Sequence, residues 1–225
     1  YLAEQGVASR READRLIADG LISVNGKVVR EMGVKVDPEK DKVTVNKKVV
    51  ERQKKLIYIA LNKPAGYVTS VKPTRIEKKI VMELVRLEER VFPVGRLDKD
   101  TTGLLILTND GTLTYKLTHP SSECEKEYEV KVDGMIRPGQ MDRLRAGVKL
   151  WGEKTKETQV KKIRPNRMRI VLREGKNRQI RRICQKVGLP VLQLKRIRIK
   201  GLSLGDLQEG KWRHLTPQEV QSLKQ

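Results

Sequence analysis

The sequence predicts an α+β protein in which a small α/β module precedes a larger body of helices and strands. Three observations support this fold class. Residues 1–50 combine one capped helical segment with short strand-and-turn patterns, residues 51–56 are charged and lack periodicity, and from residue 57 the apolar strand segments lengthen. We therefore expect one domain at residues 1–50 and another at 57–225, joined by a linker at 51–56.

The first module begins with a helix in the segment "SRREADRLIADG". Ser9 is followed three residues later by Glu12, which is the pattern of a capping box, and Gly20 is suited to end the helix. The segment "LISVNGKVV" then alternates around Asn25 and Gly26, which predicts a β-hairpin with a two-residue turn. The segment "DKVTVNKKVV" predicts another short pair of strands.

The larger body contains strand and helix patterns in alternation. Strands are predicted in "IYIALNKPAG", "CEKEYEVKVDG" and "RMRIVLREG", and helices in "RPGQMDRLRAG", "NRQIRRICQKVG" and "LTPQEVQSLKQ". Thr74 and Glu77 form a second capping box, which predicts a helix through "IEKKIVMELV". Asn177 is the expected N-cap of the "RQIRR" helix, and Gly188 is expected to end it.

Charge is the strongest compositional signal. The chain has 49 Lys and Arg against 28 Asp and Glu, a net charge of +21. Residues 160–200 alone hold 15 basic side chains and one acidic one, Glu174, so two-thirds of the excess lies in this segment. Such density predicts a surface that binds a polyanion such as nucleic acid.

Other classes of protein are disfavoured. No apolar run is long enough for a membrane span, and the first residues do not resemble a secretory leader. Cys124 and Cys184 lack the spacing of a zinc site, so we expect reduced thiols in a cytoplasmic protein without a bound metal.

The segment "GRLDKDTTGLL", residues 95–105, places Asp98 between two basic residues. The residues alone leave three roles open. Asp98 could form a turn between two strands, or it could pair with Asp100 on one strand face. It could also be a single carboxylate that an arginine of the "RQIRR" helix keeps ionised, a suitable state for attack on a sugar or base carbon.

Specific motifs support the third role. The segments "IALNKPAGYVTS", "RVFPVGRLDKD", "EKEYEVKVDG" and "GKNRQIRRICQKVG", in this order, resemble the pseudouridine synthases of the RsuA branch. The first module, "YLAEQGVASRREADRLIADGLISVNGKVV", resembles an S4-type RNA-binding domain. Within the branch, "LNKPAG", "FPVGRLDKD" and "KEYEV" are most similar to the RluF type, which modifies large-subunit ribosomal RNA. The resemblance covers essentially the whole chain and implies a mainly antiparallel sheet with a central cleft.

The resemblance also implies roles for individual residues. Asp98 would be the catalytic aspartate, with Asp100 shaping the turn beside it. Tyr128 would pack against the target base, Arg181 would pair with Asp98, and Leu194 would line the base pocket. Further residues are expected to contact RNA, and they are Arg10, Arg11, Lys63, Arg96, Arg178, Gln179, Arg182, Lys195 and Arg196.

The expected activity is the isomerisation of uridine to pseudouridine in ribosomal RNA of the large subunit, 23S rRNA, after the nucleotide flips out of its stack. No cofactor or metal is expected. The expected partner is a structured stem-loop of ribosomal RNA bound by a monomer without contact to a membrane, and a pre-ribosomal particle or a tRNA remains open. The alternatives are the same activity on 16S rRNA or tRNA, a non-catalytic RNA-binding factor in ribosome assembly, and a DNA-binding module.

Overall fold

The computed structural model describes residues 1–51 and 55–225, so the expected linker at 51–56 lies partly outside the described residues. The helices are α1 (Arg10–Ala18), α2 (Gly111–Thr118), α3 (Pro138–Arg145), α4 (Gln179–Lys186) and α5 (Pro217–Lys224), with 3-10 helices at Val81–Leu84 and Pro120–Ser122. The strands are β1 (Ile22–Val24), β2 (Lys27–Val29), β3 (Val43–Val45), β4 (Lys48–Val49), β5 (Tyr58–Lys63), β6 (Phe92–Pro93), β7 (Thr102–Thr108), β8 (Lys126–Val132), β9 (Lys149–Leu150), β10 (Glu153–Lys154), β11 (Gln159–Arg164), β12 (Arg167–Leu172), β13 (Val191–Ile199), β14 (Leu202–Ser203) and β15 (Trp212–His214).

The N-terminal module follows its local sequence signals. Ser9 and Glu12 form the predicted capping box, with the Ser9 side chain accepting a hydrogen bond from the Glu12 backbone N–H at 3.2 Å. Strands β2-β1-β3-β4 form an antiparallel sheet in that order. Asn25 and Gly26 both have positive φ, as a two-residue hairpin turn requires. A small core joins the helix to the sheet, with Leu2, Ala8, Ala13, Ile22 and Val43 buried.

The larger body is built on one extended sheet. Its strand order is β11-β12-β8-β13-β7-β5-β15, with β14 paired to β13 and β6 paired to β7. Strands β13 and β7 run parallel, whereas the other neighbours along this path run antiparallel. The α+β class with mainly antiparallel strands is therefore confirmed.

The parallel contact between β7 and β13 joins the two halves of this sheet. It consists of the pairs Lys195 with Thr102 and Arg196 with Gly103. Gly103 has φ +102°, and a Cβ at this position would overlap the Arg196 carbonyl oxygen and lie 2.7 Å from the Arg196 nitrogen. Only glycine allows this approach, which brings the turn before β7 against β13.

Helix α4 lies on one half of the sheet through its apolar face. Ile180, Ile183 and Cys184 are buried with side chains of β8, β12 and β13. The arginines of the helix lie on its other faces. Because the apolar face fixes the rotation of the helix, it also fixes where these arginines point.

The second predicted capping box does not start an α-helix. The Glu77 backbone N–H donates to Thr74 Oγ1 at 3.0 Å, as expected, but within the predicted segment 76–85 the structure has a 3-10 turn at Val81–Leu84 and no α-helix. The backbone of Val68 instead bonds with Lys79 and Val81, which places Ile80 between them in an extended β-bridge with Val68. The predicted helix is therefore wrong here, because tertiary backbone pairing outweighs the local signal.

None of the helices within residues 1–51 and 55–225 has the length and apolar character needed to cross a bilayer.

Candidate active site

A cleft with a volume of about 760 Å³ opens over the larger sheet. It is bounded by the turn before β7, by β8 and β13, and by the residues that lead into α4. It brings together seven of the residues expected at the site, namely Arg96, Asp98, Tyr128, Arg178, Gln179, Leu194 and Arg196. The other expected residues, namely Arg10, Arg11, Lys63, Arg181, Arg182 and Lys195, do not line it.

Asp98 occupies the start of a tight turn. The Thr101 backbone N–H donates to the Asp98 carbonyl at 3.1 Å, which closes the turn before β7. The residue before the acid, Leu97, is buried, and its backbone N–H and C=O both bond to Thr69 Oγ1, at 3.1 and 2.8 Å. Its neighbours thus anchor the backbone that carries the Asp98 carboxylate, and the Asp98 side chain is 35% exposed in the cleft.

Lys63 supports this turn from behind. Its side chain is fully buried, and its Nζ donates to the carbonyls of Pro64, Lys99 and Thr101 at 2.9, 3.3 and 2.7 Å. Burial lowers the pKa of the Lys63 ammonium to about 8, against the opposing effect of Asp100 and Asp98. The expected phosphate contact is therefore corrected: Lys63 has no surface to offer RNA and instead orders the turn.

The arginine beside Asp98 is Arg178, not the expected Arg181. Arg178 Nη1 lies 3.7 Å from Asp98 Oδ2, and its guanidinium binds both oxygens of Asp100, at 3.1 and 3.2 Å. Arg181 Nη2 contacts the Asp100 carboxylate and carbonyl at 3.1 Å each, while its Nη1 donates to the Val191 carbonyl at 3.3 Å. Arg181 thus ties α4 to the turn and to β13.

The local backbone geometry explains why Arg178, and not Arg181, lies beside Asp98. Helix α4 begins one residue later than predicted, so its N-cap is Arg178 rather than Asn177, with φ +48°. A residue in this conformation lies outside the helical path, and its side chain reaches the cleft. Arg181 lies inside the first turn, where the rotation of the helix directs its side chain toward the start of β13.

Asp100 lies within the turn, as expected, because the turn closed by the Asp98 carbonyl and the Thr101 N–H contains it. It also has a second role. Partial burial raises its pKa, but the hydrogen bond from Arg178 and the charges of Arg181 and Arg178 outweigh burial and hold the pKa below its usual value. Asp100 therefore links the turn to α4 as an ionised partner of two arginines. It does not line the cleft, whereas Asp98 does.

Tyr128 and Leu194 form an apolar part of the cleft. Tyr128 is half-buried on β8, and Leu194 is buried on β13. The register of these antiparallel strands places Tyr128 opposite Arg196, with Leu194 two residues before Arg196 on the same face. An aromatic and an aliphatic side chain therefore line the same cavity as Asp98 and offer a planar ring an apolar contact there.

Besides Lys63, two further residues expected to bind RNA are buried instead. Arg196 is 2% exposed, and its Nε donates to the Leu104 carbonyl at 2.7 Å, so it stabilises the junction of β7 and β13. Gln179 is 3% exposed and bonds to Glu174 and to the Lys176 backbone, so it shapes the loop before α4. Although both border the cleft, neither presents a free surface for a phosphate.

The remaining expected RNA contacts are exposed, namely Arg10, Arg11, Arg96, Arg178, Arg182 and Lys195. The cleft also has cationic residues that were not singled out from the sequence, namely Lys126, Lys156, Arg173 and Lys176. The sequence did indicate that Lys126 faces the site, because Lys126 lies two residues before Tyr128 and so shares its strand face. Among the described residues, no three His, Cys, Asp or Glu side chains cluster as metal ligands.

The arrangement suits a nucleotide that has left its base stack. A carboxylate beside a guanidinium can act on a sugar or base carbon, while Tyr128 and Leu194 hold a planar uncharged ring. Cations around the opening match the phosphates on either side.

Known proteins are similar to this chain in sequence and in fold. The sequence profile of the RNA pseudouridylate synthase family matches residues 57–186, and that of the S4 domain matches residues 1–41. A crystal structure of a pseudouridylate synthase covers 99% of this chain and 96% of its own, with a TM-score of 0.73 at 28% identity.

Curated relatives match over nearly the whole chain. An uncharacterised RNA pseudouridine synthase of Aquifex aeolicus is 42% identical over 99% of this chain and 91% of its own. The dual-specificity RNA pseudouridine synthase RluF of Escherichia coli K12 is 43% identical, over 98% and 75%. The ribosomal large subunit pseudouridine synthase B of Bacillus subtilis is 39% identical, over 99% and 93%. The chain therefore belongs to the RNA pseudouridylate synthase family and is an RNA pseudouridine synthase with an S4 domain in its N-terminal part.

Proposed function

We propose that this enzyme converts uridine to pseudouridine in large-subunit ribosomal RNA, with Asp98 as its catalytic carboxylate. The observation that carries the assignment of Asp98 is its position in the cleft, 3.7 Å from Arg178 and in the same cavity as Tyr128 and Leu194. The choice of RNA is supported by the Bacillus subtilis relative, whose name specifies the large ribosomal subunit.

The proposed reaction begins when the target uridine flips into the cleft. Unstacking costs a few kcal/mol, which phosphate contacts at the exposed cations offset. Tyr128 and Leu194 hold the uracil ring while Asp98 initiates cleavage of the N1–C1′ bond. The ring then turns and forms the C5–C1′ bond, C5 releases its proton, and N1 gains one, so no cofactor is consumed.

Arg178 is proposed to compensate the negative charge of Asp98 and to orient it. Every route that starts at this side chain requires an ionised carboxylate in a fixed position. The buried ammonium of Lys63 and the Asp100 link to α4 keep the turn in place. Asp98 is thus the group that touches the substrate, and these neighbours are positioning residues.

The proposed partner is a stem-loop of ribosomal RNA, bound in the cytoplasm, where ribosomal RNA resides. Residues 1–50 are proposed to bind the RNA as a separate domain, with Arg10 and Arg11 of α1 contacting phosphates. A second RNA substrate is also proposed, because the Escherichia coli relative is named a dual-specificity enzyme. Transcripts of large-subunit rRNA, 16S rRNA and tRNA should therefore be compared in one assay.

The variant Asp98→Asn tests the catalytic assignment. Tritium release from RNA transcripts labelled at uridine C5 should fall by a factor on the order of 10⁴ or more, because a neutral amide cannot act as the carboxylate. RNA affinity, measured by filter binding, should stay unchanged.

Asp142→Asn is the matched control, since Asp142 is exposed on α3 and pairs with Arg145 at 2.9 Å outside the cleft. Its tritium release should equal that of the parent enzyme. Appreciable turnover by the Asp98 variant would contradict the role proposed for Asp98. Failure of the parent enzyme on every rRNA and tRNA tested would instead favour a non-catalytic RNA-binding factor.

A further inference from the structure

An exposed tryptophan stands at the tip of the β9–β10 hairpin. Trp151 and Gly152 form the two-residue turn between these strands, with φ +50° and +86°. This turn favours asparagine at its first position, and a bulky side chain there adopts a backbone conformation that it normally avoids. The indole is nevertheless 54% exposed. A large apolar ring in a strained and exposed position is typical of a functional residue.

The hairpin tip is tied to the rim of the cleft. The Arg182 guanidinium lies over the Trp151 ring, with its Cζ 4.9 Å from the ring centroid, and its Nη2 donates to Asn177 Oδ1 at 3.1 Å. Lys176 pairs with Glu153 of the hairpin at 3.1 Å. Lys176 and Asn177 both line the cleft.

Helix α4 connects this tip to the reacting end of the cleft. Arg178, which contacts Asp98, is the N-cap of the helix, and its carbonyl accepts from the Arg182 backbone N–H at 3.1 Å, so the two backbones lie one helical turn apart. An RNA strand whose uridine enters the cleft beside Arg178 can therefore reach Trp151 along Lys176, Asn177 and Arg182.

We propose that Trp151 and Arg182 form a stacking platform for an unpaired RNA base that flanks the flipped uridine. The inference rests on the proposed function, which places the uridine in the cleft. Bases of single-stranded RNA stack on aromatic rings and on arginine, whatever their identity. Here the Arg182 guanidinium lies over the Trp151 indole, and a base can lie against the exposed surface of the indole.

The charges around the ring favour RNA over a protein partner. Lys149 and Lys154 on the same hairpin are exposed, and Glu153 is paired with Lys176. The ring therefore lies on a hairpin that carries exposed lysines and beside Arg182, and this positive charge matches the phosphates of RNA. RNA supplies both the flat rings and the negative charge that this surface matches.

The variant Trp151→Asn separates the ring from the turn. Because asparagine suits the turn, the hairpin should keep its fold, and the melting temperature should not fall. The dissociation constant for a stem-loop transcript with unpaired bases around the target should rise about 5- to 150-fold. Trp151→Phe should keep most of the affinity. Binding is measured in the Asp98→Asn background so that the RNA stays unmodified.

Two controls accompany this measurement. A fully paired duplex of the same length should bind equally well to the protein with Trp151 and to the Trp151→Asn variant, because the bases of a duplex cannot stack on the platform. Met135→Asn, which changes a residue that is 71% exposed and does not line the cleft, should leave stem-loop binding unchanged.

Fluorescence gives a direct test of stacking. The chain has two tryptophans, so Trp212→Phe leaves Trp151 as the only one. Stem-loop RNA should quench its emission, and the duplex should not.

The outcomes distinguish this inference from the proposed function. Unchanged stem-loop affinity of Trp151→Asn, or an equal loss with duplex and stem-loop, would overturn the platform. If Trp151→Asn no longer associated with ribosomal particles but still bound naked stem-loop RNA, this result would also overturn the platform, in favour of a protein partner. Failure of the proposed function would appear separately, as absent tritium release by an enzyme whose Trp151 emission is still quenched.

Discussion

Asp98 and Asp100 are separated by one residue, yet their surroundings differ. Asp98 lines the cleft, and its carboxylate lies 3.7 Å from the Arg178 guanidinium, whereas Asp100 does not line the cleft and is bound by both Arg178 and Arg181. Arg178 Nη1 lies close to both carboxylates, 3.7 Å from Asp98 and 3.1 Å from Asp100. Asp100 holds the neighbouring helix, whereas Asp98 faces the cleft, where a substrate can reach it.

The two arginines should respond differently to removal. Arg178 is 42% exposed, so Arg178→Ala should lower the rate of tritium release while leaving the unfolding free energy nearly unchanged. Arg181 is 13% exposed and bonds three acceptors, so Arg181→Ala should lower the unfolding free energy by about 2–4 kcal/mol. Urea denaturation and the tritium assay on both variants check this.

The matched substitutions Arg178→Lys and Arg181→Lys keep the positive charge of each side chain but lose the planar guanidinium group. They therefore separate the effect of charge from that of hydrogen-bond geometry. If Arg181→Ala keeps the parent stability and loses only catalysis, Arg181 is the partner of Asp98 during the reaction. If Arg178→Ala reacts at the parent rate, Arg178 has no part in orienting Asp98.

At the scale of single elements, local signals predicted most helices and hairpins. The capping boxes of α1 and α5 are present, with Thr216 accepting from the Glu219 backbone N–H at 3.2 Å in α5. The helix expected after Thr74 is absent because Val68 pairs with that segment. Capping depends on residues three apart, whereas strand pairing depends on residues that meet only in the folded chain.

Gly103 is the element-scale feature that the site depends on most. In Gly103→Ala, the new methyl group would overlap the Arg196 backbone, and the residue would be strained at φ +102°. The two halves of the sheet should separate at β7 and β13, lowering the unfolding free energy by about 3 kcal/mol or more. Urea denaturation measures this, and tritium release should fall as well.

Gly139→Ala is the control for this substitution. Gly139 lies in α3, and a Cβ there meets no atom within 4 Å. Alanine should leave stability unchanged or raise it by up to about 1 kcal/mol. Equal stabilities of the two variants would show that the close approach of β7 and β13 does not require glycine.

At the scale of the whole molecule, positive charge surrounds the cleft. The segment 160–200, with its net +14, forms β11, β12, α4 and β13. Several cleft cations have acidic partners in the free protein, such as Lys156 with Glu123 and Arg173 with Glu125. These pairs are exposed and weak, so phosphates can replace the carboxylates.

RNA binding should therefore weaken steeply with salt. If about six phosphates are contacted, the affinity for a stem-loop should fall roughly 10³-fold between 50 and 200 mM salt. Arg96→Gln, at the cleft, should reduce the slope of log K against log salt by about one. Lys224→Gln, on α5 and outside the cleft, should leave the slope unchanged. Equal slopes for both variants would place the phosphate contacts elsewhere.

The sequence by itself determined the α+β class, most helices and turns, the basic segment and the motif around Asp98. These features depend on residues a few positions apart, so their signals are complete within short segments. Only the tertiary structure decided that Arg178 rather than Arg181 adjoins Asp98 and that Lys63, Gln179 and Arg196 are buried. Asp98 and Arg178 are about eighty positions apart in the sequence, and their contact depends on the rotation of α4 and the close approach of β7 to β13. Those two quantities are set by packing across the sheet, which no short segment encodes.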